Sequence, residues 1–113
     1  MIAYDLIGQT PLVLLESFSD ENVKIYAKLE QFNPGGSVKD RLGKYLVETA
    51  IEDGRLKEGG TIVEATAGNT GIGLAIAANR FRVKCVIFAP EGFSEEKISI
   101  MKALGADVRR TPK

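Results

Sequence analysis

The stretch Thr61-Ile-Val-Glu-Ala-Thr-Ala-Gly-Asn-Thr-Gly-Ile-Gly-Leu-Ala-Ile-Ala-Ala78 decides the fold. Thr61 to Ala65 reads as a short strand. The glycine-rich turn Ala67-Gly68-Asn69-Thr70-Gly71 follows it. Ile72, Leu74, Ala75, Ile76 and Ala78 then belong to a helix. Val83 to Phe88 is the next apolar strand. A strand, a helix and a second strand at this spacing make a parallel pair with a right-handed crossover.

The pattern continues on both sides. Downstream, Ser94 stands where a helix cap belongs, with Glu95 and Glu96 favouring the positive end of the helix dipole. Ile98, Met101 and Leu104 form the inner stripe of that helix, Gly105 ends it, and Asp107 to Arg110 begins another strand. Upstream, Val23 to Glu30 alternates apolar and polar residues, the period of a strand. Asn33-Pro34-Gly35-Gly36 forms a loop. A helix is expected from about Val38 to Asp53, capped by Ser37, with Asp40 as the reciprocal capping residue. Its apolar stripe is Val38, Leu42, Leu46 and Ala50, and Gly54 terminates it. The expected class is α/β, a parallel sheet with flanking helices in the order βαβαβαβ. Residues 1–113 form one partial domain with no internal boundary. The chain stops at Lys113 directly after a strand, which reads as a fragment of a longer protein.

Composition narrows the chemistry. Fifteen Lys and Arg balance fifteen Asp and Glu, so the net charge is zero. That balance leaves no electrostatic footprint for nucleic acid or an anionic membrane. With no histidine, Ser-His-Asp and Cys-His catalysis and His-ligated metal sites are excluded. The single cysteine, Cys85, forms no internal disulfide, fits a reducing compartment, and reads as core within Val83 to Phe88. No apolar run approaches the roughly 20 residues of a membrane span. The Arg80-Phe81-Arg82 cluster reads as a solvated helix end. Catalysis is left to lysine, carboxylates, hydroxyls, amides or a cofactor.

Parallel sheets bind ligands at the carboxyl ends of their strands, beside helix N-termini. Two loops fall there, Asn33 to Lys39 and Thr66 to Gly71. Lys39 occupies the first turn of its helix, where a cation opposes the macrodipole at a cost of about 0.3–1 kcal/mol. It is either a solvated surface lysine or an amine placed for Schiff-base chemistry. Thr66, Ala67, Gly68, Asn69 and Thr70 present successive backbone N–H groups, two hydroxyls and an amide at a helix N-terminus, a site for an anion. The alternative is a tight turn in which Asn69 or Thr70 merely caps the helix. Gly68-x-x-Gly71-x-Gly73 is not the dinucleotide fingerprint, and no phosphate-binding GxxxxGK is present. A small carboxylate or compact phosphate suits the loop better than a nucleotide.

The strings IGQTPLVLL, AKLEQFNPGGSVKDR, EATAGNTGIGLAIA and SEEKISIMKALGA, in this order, resemble the cysteine synthase and cystathionine β-synthase family of pyridoxal phosphate enzymes. The resemblance runs from Leu6 to Val108 and implies the N-terminal third of a tryptophan synthase β-like fold. It implies that Lys39 is the catalytic Schiff-base lysine and the acid/base at the substrate α-carbon. It implies that Asn69 binds the 3′-oxygen of pyridoxal 5′-phosphate, and that Thr66 through Thr70 grip the substrate carboxylate. The implied reaction is β-replacement on an activated serine by sulfide, in cysteine biosynthesis, with homocysteine as the rival nucleophile. A threonine-dehydratase or threonine-synthase relative is a more distant match, and a non-catalytic carboxylate- or partner-binding fragment is the reading outside enzymes. A homodimer, a serine acetyltransferase partner and a cytoplasmic location belong to the same resemblance. Ala67 departs from the family, which often has serine there. The family's glycine-rich phosphate cup and the residue facing the pyridine nitrogen have no counterpart in these residues, so the resemblance implies that the isolated 113-residue chain is a truncated, inactive fragment.

Overall fold

The computed structural model describes residues 1–113. Its centre is a three-stranded parallel sheet in the order β3-β4-β5, formed by β3 (Thr61–Ala65), β4 (Lys84–Pro90) and β5 (Asp107–Thr111). Ile62 pairs with Cys85 and Ile87 with Val108, so each crossover advances one strand along the sheet. Three helices accompany the sheet: α1 (Lys39–Glu52), α2 (Asn69–Phe81) and α3 (Glu95–Ala103). The α/β class, the parallel sheet and the flanking helices are those expected from the sequence.

The first strand of the expected series lies elsewhere. Val23 to Glu30 yields only β2 (Tyr26–Lys28), which pairs antiparallel with β1 (Leu12–Leu14) in a separate two-stranded sheet. The alternation was real, but period two reports a half-buried strand and not the sheet it joins. Leu12 and Leu14 remain exposed. With this hairpin standing apart, the radius of gyration is 16.5 Å, against roughly 13 Å for a compact domain of this length.

Helix α2 is the central element. Ile72, Leu74, Ala75, Ala77 and Ala78 are all buried, so it is apolar on nearly every side. Its C-cap, Arg82, takes a left-handed conformation with φ 56° and closes the last turn on the carbonyls of Ala78 and Asn79. Ile98 and Met101 of α3 are buried as expected, and the Ser94 hydroxyl accepts from the Lys97 N–H at 3.3 Å, a cap worth about 1 kcal/mol. Cys85 is a core residue, and burial pushes its thiol up to about 11.

The expected inner stripe of α1 is a correction. Val38, Leu42 and Leu46 are exposed, at 48, 37 and 41%. The buried face is instead Asp40, Gly43 and Val47, and of the expected stripe only Ala50 packs, partly buried, against the core. Gly43 is the reason. A Cβ there would collide with the Gly73 carbonyl of α2, so the two backbones approach more closely than side chains would allow. The absence of a side chain, and not the presence of leucines, sets which face of α1 turns inward.

Candidate functional site

The loop Asn33 to Val38 delivers the chain to Lys39, the first residue of α1. Three polar residues of the chain are buried, namely Thr10, Asn33 and Asp40, and all three belong to the network around this loop. The Asn33 amide donates to the carbonyls of Glu30 and Ser37 and accepts from the Gly8 N–H at 2.8 Å. The Lys39 N–H donates to the Ser37 hydroxyl at 3.1 Å. Ser37 therefore does cap the first turn, but the cap is reached from one residue earlier than the helix boundary.

Asp40 does not complete a capping box with Ser37. Its Oδ2 accepts from the Gly35 N–H at 2.5 Å, five residues back, and its Oδ1 has no hydrogen-bond partner. Burial raises its carboxyl above the usual range, against the opposing pull of the Gly35 N–H. Arg41 anchors the other side. Its guanidinium donates to both Glu30 oxygens, to the Gly8 carbonyl and to the Thr10 hydroxyl, and it holds the Glu30 carboxyl down to about 2. The Thr10 hydroxyl, which also bonds Glu30, contributes to that shift. The loop is thus tied to the N-terminal segment and to α1 at once.

The second loop leads from β3 into α2. Gly68 is the residue preceding the helix, and no side chain caps it, so Asn69 and Thr70 do not serve as caps. Thr66 Oγ1 accepts from the Gly68 N–H at 3.3 Å. No protein group bonds the side chains of Asn69 or Thr70. An extra Cβ on Gly71 would meet Met101 and Thr66, which explains the glycine beneath the turn. Lys97 of α3 is the residue that sequence reasoning missed: its Nζ lies 3.4 Å from where a Gly68 Cβ would be. No salt bridge engages it. Its signal in the sequence, a lysine three residues after the Ser94 cap, gives no hint that it leans over a loop from another strand.

The two loops come together because α1 and α2 cross at their glycines. A Cβ on Gly73, in the second turn of α2, would collide with the carbonyl of Lys39. The first turn of α1 and the start of α2 are thereby neighbours. Lys39 is exposed and forms no ion pair. The larger surface concavities are lined by other residues, one of them by Ile2, Tyr4, Pro34, Ile76 and Arg80. No helix is long and apolar enough to cross a membrane.

Residues 3–113 match the family model described as pyridoxal-phosphate dependent enzyme. The chain belongs to this family. Among its relatives, the O-acetylserine dependent cystathionine beta-synthase of Bacillus subtilis is 54% identical over 110 residues, which are 96% of this chain and 36% of that protein. The cysteine synthase of Helicobacter pylori is 49% identical over 114 residues, covering 96% of this chain and 36% of that protein. The crystal structure of a cysteine synthase from Entamoeba histolytica superposes with a TM-score of 0.91 at 44% identity, over 98% of this chain and 34% of that one. The chain spans about a third of the length of such relatives. The pyridoxal-phosphate family accounts for the cofactor expected from the sequence.

The residues present suit the cofactor of that family. A primary amine such as that of Lys39, exposed on the first turn of α1, has the chemistry to condense with an aldehyde. The side-chain amide of Asn69 and the hydroxyl of Thr70 have no partner within the protein. Both sit at the N-terminal end of α2, where donors favour an oxyanion.

Proposed function

We propose that this chain carries the amine-bearing and carboxylate-gripping part of the site of a pyridoxal phosphate-dependent β-replacement enzyme of cysteine synthase type. The observation that carries the reading is the crossing of α1 and α2, which makes neighbours of the Lys39 turn and the Asn69–Thr70 turn. In this reading residues 1–113 are one part of a larger catalytic unit, cytoplasmic and homodimeric, with a serine acetyltransferase as the associate that the family resemblance implies.

Lys39 would hold the cofactor and Asn69 would donate to its 3′-oxygen. Bound pyridoxal phosphate supplies an electron sink for charge at the substrate α-carbon. The Thr66 to Thr70 loop receives the substrate α-carboxylate through its hydroxyls and its backbone N–H groups other than those of Thr66 and Gly68, which bond within the protein, and this fixes the α-carbon relative to Lys39. With the substrate's amine taking its place on the cofactor, the freed Lys39 amine would take the α-proton, and the β-substituent would depart with its bonding electrons, as acetate from O-acetylserine. Sulfide then bonds to the β-carbon, and the Lys39 ammonium returns the proton to the α-carbon. Lysine suits both transfers because one amine both accepts and delivers the proton.

Homocysteine as the nucleophile is the second reading, and the 54% identity to a cystathionine β-synthase that depends on O-acetylserine favours it. Ala67 bears on the choice, because it leaves the carboxylate loop one hydroxyl poorer than Ser would. The test is to supply the intact, cofactor-loaded protein with O-acetylserine and either sulfide or homocysteine, and to quantify cysteine and cystathionine. Cysteine as the main product supports the first reading and cystathionine the second. The absence of both products rejects β-replacement. Ala67→Ser should change the ratio of the two rates.

A further inference from the structure

We propose that Asp40 is a positioning residue for Lys39, acting by holding the Gly35–Gly36 turn against the first turn of α1. The inference rests on the function proposed above for Lys39. Asp40 is fully buried, with 0% of its surface accessible. One carboxyl oxygen accepts from the Gly35 N–H at 2.5 Å and the other has no partner. A buried carboxyl with half of its acceptor capacity unspent costs free energy that an apolar side chain of similar size would not. Stability therefore does not explain the residue, and what it holds does.

Gly35 is packed so tightly on this carboxyl that a Cβ would collide with Oδ1 and with Ile76 of α2. The next residue, Gly36, takes a φ of +87°, which turns the chain back towards α1. The Asn33 amide holds the far end of the turn through the Ser37 carbonyl, and the Ser37 hydroxyl receives the Lys39 N–H. Successive residues on a helix point about 100° apart. Clamping Asp40 inward between the turn and α2 therefore fixes the rotation of the first turn, and with it the direction in which Lys39 leaves the helix. The contribution is to the orientation of the amine and not to its chemistry.

Asp40→Asn keeps an acceptor for Gly35, whereas Asp40→Leu keeps the size and removes the acceptor. The intact protein and both variants would be freed of cofactor, mixed with pyridoxal phosphate, reduced with borohydride at intervals, and mapped for label on the Lys39 peptide. Capture by Asp40→Asn should stay within about threefold of wild type, and capture by Asp40→Leu should fall about tenfold or more, rescue by the isostere marking a hydrogen-bonding role. Amide exchange at Gly35, measured without cofactor, should accelerate about tenfold in Asp40→Leu and little in Asp40→Asn. Wild-type capture by Asp40→Leu, an equal loss in both variants, or unchanged Gly35 exchange would each overturn the proposal. Should Asp40→Leu not fold, Gly35→Ala tests the same contact, with a tenfold loss expected and wild-type capture counting against it. A wild-type protein that never labels Lys39 would strike the proposed function instead, and the exchange at Gly35 would still read the Asp40 contact.

Discussion

Gly43 of α1 and Gly73 of α2 meet backbone to backbone. A Cβ on Gly43 would collide with the Gly73 carbonyl, and a Cβ on Gly73 with the carbonyl of Lys39. The closeness of two helices and the placement of the candidate catalytic amine are therefore one feature. Helix propensity and packing make opposite predictions for Gly43→Ala. Propensity favours alanine in a helix interior by about 1 kcal/mol. Overpacking a close contact costs about 1–3 kcal/mol. Because the obstructing atoms are main chain and cannot rotate away, packing should win. Urea denaturation should show Gly43→Ala destabilised, and a stabilised variant would mean that the helices have room to separate.

The Glu30–Arg41 pair should give the fold a pH dependence of known sign. Glu30 titrates near 4.5 when unperturbed and is held to about 2 in the folded chain, chiefly by Arg41. A depressed carboxyl binds fewer protons folded than unfolded, so it stabilises above its unfolded value and loses that contribution as pH falls. Glu30→Gln should lower the melting temperature at neutral pH. The gap to wild type should begin to close below about pH 4.5 and vanish only below about pH 2. A gap that persists undiminished at pH 2 would place the effect in packing and not in charge.

Thr70→Ala should weaken amino-acid binding to the cofactor-loaded protein by about 1–3 kcal/mol, the range for a hydrogen bond to a charged group. Cofactor affinity should change far less. The two affinities are separable by titration, first with pyridoxal phosphate and then with substrate. A variant that loses cofactor and keeps substrate affinity would reverse the roles assigned to this loop.

Lys97→Met should raise the apparent substrate constant severalfold and leave capture of the cofactor at Lys39 unchanged. The ammonium of Lys97 lies over Gly68 and is partly exposed, so its attraction for an anion is modest and screened by salt. The difference between wild type and Lys97→Met should therefore shrink as ionic strength rises. Equal substrate constants at low salt would show that the lysine is a bystander.

Much of this arrangement was legible in the sequence because it is local. The β3 strand, the turn at Gly68, the Ser94 cap and the buried Ile98 and Met101 follow from spacing and end signals within a few residues. What escaped was set at a distance. The partner of the Val23 to Glu30 segment is Leu12–Leu14, and nothing in the alternation names that partner. Of the i, i+4 stripe on α1 only Ala50 packs on the core, while Val38, Leu42 and Leu46 face outward, because the glycine at 43 decides the approach and apolar spacing does not report it. The spacing of Asp40 from Ser37 fits a capping residue, and only the folded chain shows it turned under Gly35. Lys39 and the Thr66 to Thr70 loop were both singled out from the sequence, but their adjacency is a property of the helix crossing.

The central claim is that Lys39 is the covalent site. The most direct measurement is to load the intact protein with pyridoxal phosphate, reduce with borohydride, digest it, and locate the labelled lysine by mass spectrometry. The label should sit on Lys39, and Lys39→Ala should remain folded without acquiring it, since an exposed first-turn lysine contributes little to stability. Label on another lysine with Lys39 unmodified would contradict the account.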